Sequence, residues 1–241
     1  MEWLQKVQED FITCFIVKDR WKYIVGGLGN TLKIALVAVL IGVVIGTVVA
    51  IIRSTHDKSI QEMRPGAGRF LLKLANWICK VYLTVIRGTP VMIQIMIMFF
   101  VIFTKARDGV PVAMLTFGIN SGAYVAEIIR GGIMAVDEGQ TEAGRSLGFG
   151  FGKTMWYIVI PQALKSVLPA LANEFIALLK ETSVACYVAV NDLTKGGEII
   201  RSTTYIQAMP LLIVALLYLA MVMFFTYLVG KLERRLRTSE R

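Results

Sequence analysis

The chain has 241 residues, of which 56% are hydrophobic and only 18% charged, and its mean hydropathy is +0.63. A soluble domain carries roughly 45–50% apolar and about 25% charged residues, so this composition excludes disorder and argues against a soluble fold. Its 26 Lys and Arg against 17 Asp and Glu give a net charge of +9. In so apolar a chain that excess points to the basic cytosolic loops of a membrane protein and away from nucleic acid. Cys14, Cys79 and Cys186 are widely spaced with no CxxC, so neither a disulfide framework nor a zinc site is indicated. Glu2, Glu9 and Asp10 stand where a cleaved signal peptide would be basic, and none is expected.

In chain order, an N-terminal segment (residues 1–28) precedes the first span. Residues 34–52 form an uncharged run between Lys33 and Arg53, which predicts a span at about 30–53, since a crossing helix needs about 20 apolar residues. Two further uncharged runs, 88–104 and 110–126, flank the polar turn Lys105–Gly109. They predict antiparallel spans at about 74–104 and 110–131. Residues 155–179 are interrupted by Pro161, Lys165, Pro169 and Glu174. Membrane helices accept such residues where they face protein or a cavity, so a span at about 154–180 is expected. Residues 209–230 predict the last span at about 205–231, followed by a basic tail at 233–241. The expected fold is all-α: a polytopic membrane protein with five transmembrane helices in one transmembrane domain at 29–232.

Orientation follows from the basic residues. Lys231, Arg234, Arg235, Arg237 and Arg241 put the tail in the cytoplasm, together with residues 53–73 and 130–153. The Lys105 turn then lies outside. So does the N-terminal segment, although its Lys18, Arg20 and Lys22 run against the rule. His56, the single histidine, is expected in a solvated cytosolic loop. No repeat of 20–50 residues is visible.

The longest polar stretch between spans is Asp137–Gly148, within a loop at about 137–153. Thr141–Leu147 favours a short helix, and Gly148 suits a left-handed stop. Phe149 and Phe151 beside it look like a docking knob. Gly152-Lys153-Thr154 resembles the end of a phosphate-binding loop, which needs Gly-x-x-x-x-Gly-Lys-Ser/Thr. The first glycine would fall on Leu147, and a membrane span follows. Nucleotide binding by this chain is not expected.

Glu142-Ala143-Gly144, three residues, Gly148, nine residues, then Ile158-Val159-Ile160-Pro161 resembles the EAA loop of ABC-importer permeases, whose usual pattern is Glu-Ala-Ala, Gly and Ile-x-Leu-Pro. Gly144 and Ile160 are mild departures; Gly144 weakens the helix by roughly 1 kcal/mol. Asn30-Thr31-Leu32-Lys33, Arg87-Gly88-Thr89-Pro90, Ser121–Gly132 and Leu179-Lys180-Glu181-Thr182-Ser183 are similar to the polar amino acid subfamily, the histidine, glutamine and arginine type. The resemblance runs from Gly27 to the C-terminus. It implies the type I ABC importer permease fold, with Glu142, Ala143, Gly144, Gly148 and Pro161 coupling to an ATPase. It also implies the partners. These are two copies of an ABC ATPase, a second permease (itself or a homologue) as dimer, an extracytoplasmic solute-binding protein, an amino acid substrate and the lipid bilayer of a bacterial cytoplasmic membrane. ATP and Mg²⁺ would sit on the ATPase, so no cofactor is expected on this chain.

Glu174 lies near the middle of a span, where a carboxylate costs about 2–3.5 kcal/mol on insertion scales. Two readings stand for it: an ion pair with Lys165, Lys180 or Arg87, or attraction of the cationic group of a passing amino acid such as arginine, lysine or histidine. Met92 and Met96, four apart on one helix face, suit an adaptable pathway wall or simply a core. Arg87, Glu127 and Arg130 near span ends are read as structural. No Ser/His/Asp or Cys/His set can be assembled, so no catalytic residue and no metal site is expected. A stand-alone secondary transporter or channel is the alternative, but it leaves the docking loop unexplained. A membrane-embedded assembly factor is a third class.

Overall fold

The uncharged runs at 34–52, 110–126 and 209–230 each become part of a helix longer than the run, whereas the run at 88–104 is interrupted at Thr89 and Pro90. The computed structural model describes residues 2–61, 63–188 and 190–238. Helix α1 (Glu2–Phe11) leads through a π turn (Ile12–Ile16) and a 3-10 turn (Val17–Asp19) into α2 (Trp21–Ser59). At 39 residues α2 is about 58 Å long, so it overruns the expected span at both ends. Its last turn carries His56 and Lys58, and the Lys58 charge suits the negative end of a helix. His56 is therefore on a helix and not in a loop, with Nδ1 3.2 Å from Asp57 Oδ1.

Helix α3 (Ala67–Gly88) stops where Thr89 turns extended, at φ −121° and ψ 144°. Pro90 forces that conformation on the residue before it. The chain resumes as α4 (Val91–Ile97) and a π turn (Met98–Ile102), so the expected span at 74–104 is a broken pair of helices and not one rod. Then come α5 (Gly109–Met134), α6 (Glu138–Ser146), α7 (Phe151–Thr154), a π turn (Met155–Val159) and α8 (Ile160–Glu181). A 3-10 stretch (Thr182–Val188), α9 (Leu193–Thr204) and α10 (Ala208–Thr238) complete the chain. The basic tail expected at 233–241 continues α10 as far as Thr238; residues 239–241 lie outside the described residues. Among the described residues four helices are long and apolar enough to cross a membrane, or five if the broken pair is one span. No strand occurs among the described residues.

The wide turn before α8 has a local cause. Pro161 has no N–H, and its ring crowds the carbonyl four residues back. The chain relaxes this with the π turn at Met155–Val159, closed by the Ile160 N–H donating to the Met155 carbonyl.

Two compact units divide the chain. One comprises the residues up to Ala38, Val91–Phe117 and Phe175–Tyr227. Its core gathers Cys14, Phe15, Ile24, Leu193, Ile200 and Val214. Polar ties anchor the start of α9 to α2: the Leu193 N–H donates to Thr31 Oγ1 at 3.1 Å, and Asn30 Nδ2 donates to the Asn191 carbonyl at 2.8 Å. The other unit comprises Val39–Pro90, Gly118–Glu174 and the chain from Leu228 onward. There Val49, Cys79, Leu83, Ala123 and Ala126 pack together, as do Ile133, Val159 and Ala163. Helices α2 and α5 meet in this unit through small residues, Gly42 and Gly46 on one and Gly118 and Gly122 on the other. A Cβ on Gly46 would lie 2.6 Å from Val125 Cγ1 and 2.8 Å from the Ala126 backbone nitrogen. In lipid, where burial of apolar surface does not drive helices together, such close backbone approach supplies the packing that does.

Candidate functional site

Helix α6 is built with matched ends. Asp137 caps its start, its Oδ1 accepting from the Gly139 N–H at 2.7 Å, and Glu138 sits in the first turn. At the far end Arg145 occupies the last turn. The Gly148 N–H donates to the Arg145 carbonyl at 2.9 Å, and the Phe149 N–H to the Gly144 carbonyl at 3.1 Å. These two bonds form a Schellman stop, which needs a left-handed residue. Gly148 supplies it with φ +83°.

Gly144 is buried, and a Cβ there would lie 2.7 Å from Thr154 Cγ2 and 2.8 Å from Ile158 Cδ1. The glycine that weakens the helix in isolation thus lets α6 lie directly on α7 and the π turn. Gln162 Nε2 of α8 donates to Gln140 Oε1 at 3.1 Å, a second tie between the short helix and the long one. Glu142 and Ala143 point outward, and Leu147 is 75% exposed, with Phe149 and Phe151 beside it. A cleft of about 600 Å³ runs along this surface, lined among others by Asp57, Lys58, Glu138, Glu142 and Arg145. Pro161, the last of the expected coupling residues, lies exposed in the first turn of α8. Gly152, Lys153 and Thr154 fall in the one-turn helix α7, preceded by α6 and not by a strand, which is not the setting of a phosphate loop.

Glu174 is half-buried on α8 and accepts a hydrogen bond from Ser121 Oγ at 2.8 Å. Ser121 itself is fully buried on α5. A hydroxyl donor satisfies one of the carboxyl oxygens and fixes the orientation of the side chain. Met92 and Met96 are partly exposed on α4 and belong to the other unit.

Two groups were not foreseen. Arg53 joins Glu127 at 2.7 Å, Arg130 bonds the same carboxylate at 3.0 Å, and Arg87 stands 4.0 Å from it. The sequence hinted at Arg87, Glu127 and Arg130 as separate span-end charges, but Arg53 is 74 positions from its partner and no local spacing links them. Asp192 is fully buried and caps α9, accepting from the Lys195 N–H at 2.8 Å and the Thr194 N–H at 3.2 Å. Tyr218 of α10 also donates to it, at 3.4 Å. Burial pushes the Asp192 carboxyl above the usual carboxylate range, despite the cap bonds that pull the other way. Its signal in the sequence was a capping residue just before a polar helix, with nothing to reveal its burial.

Long apolar helices joined by a short polar hook describe a polytopic membrane protein. Residues 66–238 match the family described as binding-protein-dependent transport system inner membrane component. The chain is 35% identical to the arginine transport system permease protein ArtQ of Bacillus subtilis, over 90% of this chain and 94% of that one. It is 36% identical to the glutamine transport system permease protein GlnP of Escherichia coli, over 68% and 77%. A solved amino acid ABC transporter with histidines superposes with a TM-score of 0.78 at 38% identity, covering 89% of this chain and 94% of the other. The chain belongs to this family, among the amino acid ABC permeases, and its fold is that of the importer permeases. Membership in it removes the grounds for a stand-alone secondary transporter.

Proposed function

We propose that this permease subunit carries polar amino acids inward through the bacterial cytoplasmic membrane, driven by an ATPase that grips α6. The observation that carries the reading is the hook itself. It is a capped, nine-residue helix with an exposed apolar knob, seated on the start of α8. A partner holding Glu142, Ala143 and Gly148 would move α8 as well, through the contacts at Gly144 and Pro161's turn. Two ATPase copies would hold ATP and Mg²⁺. A second permease, identical or homologous, would complete the pathway, and an external solute-binding protein would deliver the amino acid. With α6 in the cytosol, the C-terminal tail is cytosolic too.

Glu174, held by Ser121, would draw the ammonium or guanidinium of a cationic amino acid; Met92 and Met96, on α4, are proposed separately as apolar lining of the solute pathway. The names of the relatives support an amino acid cargo. Coexpression with a cognate ABC ATPase subunit tests the hook: the ATPase is expected to copurify with the native chain and to be lost on Gly148→Asp. Retention on that variant would reject the docking assignment. Uptake of labelled arginine by the reconstituted complex tests the site. Glu174→Gln is expected to cut uptake at least tenfold, whereas undiminished uptake would remove Glu174 from the pathway.

A further inference from the structure

The cluster around Glu127 carries more positive charge than it neutralises. Arg53, Arg87 and Arg130 converge on this one carboxylate, and the cavity beside it, about 440 Å³, is lined by Arg53, Lys80, Leu83, Thr84, Arg87, Gly88 and Glu127. Glu127 is the single acid in that lining. Arg53 Nε is buried and has no hydrogen-bond partner among the described residues. Arg87 is half-exposed, its guanidinium 5.7 Å from the centre of the Tyr124 ring, which holds it at the mouth.

The depth of the cluster is set by the sequence. Arg53 is the first charge after the uncharged run of α2, and Glu127 the first after that of α5. Both therefore mark the edge of the hydrocarbon layer, where lipid phosphates lie. Lys80, Thr84 and Arg87 share one edge of α3. The neighbouring face exposes Leu74, Trp77, Val81 and Val85, an apolar track beside a cationic pocket. Basic pockets between membrane helices at this level suit anionic headgroups.

We propose that this cavity binds the phosphodiester of an anionic phospholipid, with an acyl chain along the exposed face of α3. Arg53 and Arg87 would contact the phosphate oxygens, Lys80 would add charge, and Thr84 would donate a hydrogen bond. The test is native mass spectrometry of the full-length chain titrated with phosphatidylglycerol or with phosphatidylcholine of matched acyl chains. Phosphatidylglycerol is expected to bind more tightly. Lys80→Gln combined with Arg87→Gln weakens it about 25-fold, at roughly fivefold for each cation near a lipid surface. Arg87→Lys keeps the charge and stays near native affinity. An unchanged circular dichroism spectrum and Tm across the variants show that the fold is intact. Equal affinity for the two lipids, or phosphatidylglycerol binding indifferent to the double substitution, would overturn the proposal. Displacement of the lipid by equimolar glycerol phosphate would reassign the cavity to a free phosphate ester. Displacement by a free amino acid would assign it to the solute pathway.

Discussion

Helix α2 contains its own control experiment. A Cβ on Gly46 would stand 2.6 Å from Val125 Cγ1 and 2.8 Å from the Ala126 backbone nitrogen, whereas one on Gly29 meets nothing within 4 Å. Alanine at either position gains about 1 kcal/mol of helix propensity over glycine. At Gly46 the added methyl must also push α5 away, because backbone cannot rotate aside as a side-chain tip can. Overpacking of this kind costs about 1–3 kcal/mol. Gly46→Ala should therefore destabilise by about 1 kcal/mol net, and Gly29→Ala should stabilise by a similar amount. For a chain of this length each kcal/mol moves the Tm by about 2–4 °C. Thermal unfolding of the purified chain in detergent, followed by tryptophan fluorescence, reads both shifts. Opposite signs are expected. A Gly46→Ala protein as stable as Gly29→Ala would refute the close approach of α2 and α5.

Replacing Glu127 with Gln leaves Arg53 and Arg130 without their counter-charge. Since the carboxylate is 25% exposed, the loss should be about 1–3 kcal/mol, below the ~3–5 of a fully buried pair, and measurable as a lowered Tm. Gly148→Val forces a branched residue to φ +83°; strain of about 1–2 kcal/mol should fray the end of α6, seen as faster protease cleavage near residues 147–150. Asp192 has its folded pKa raised above the ordinary value of 3.8. Its contribution to stability is thus complete below that value and is lost as pH rises through the raised one. A pH series of Tm should show this decline, and Asp192→Asn, which keeps a cap acceptor but cannot ionise, should flatten it.

Much of the helical scaffold was readable because long uncharged runs have few soluble explanations; α2, α5 and α10 follow from them. The C-terminal end of the hook was readable because capping chemistry is local and Gly148 marks the stop; its start was placed at Thr141, three residues late, because the Asp137 cap was not recognised. The break at Thr89-Pro90 carried a signal as well, but apolar sequence continues on both sides and hydropathy read across it. Helix α9 was missed because residues 193–204 are polar and a loop between spans is the ordinary reading of such a stretch. The partnerships were least accessible. Arg53 with Glu127, and Ser121 with Glu174, join residues far apart in the chain, and only the folded backbone brings them within bonding distance.

The seat of Gly144 on Thr154 and Ile158 has a mechanical meaning. If a partner grips α6 as proposed, its pull would reach α8 through touching atoms, without first straightening the glycine-rich stretch at residues 148–152. Under the proposed docking the joint would act as an elbow, its closeness set by the absent Cβ of Gly144. Trimming Ile158 to alanine would open play in that elbow, and the cost would appear as nucleotide burned by the motor with little solute moved.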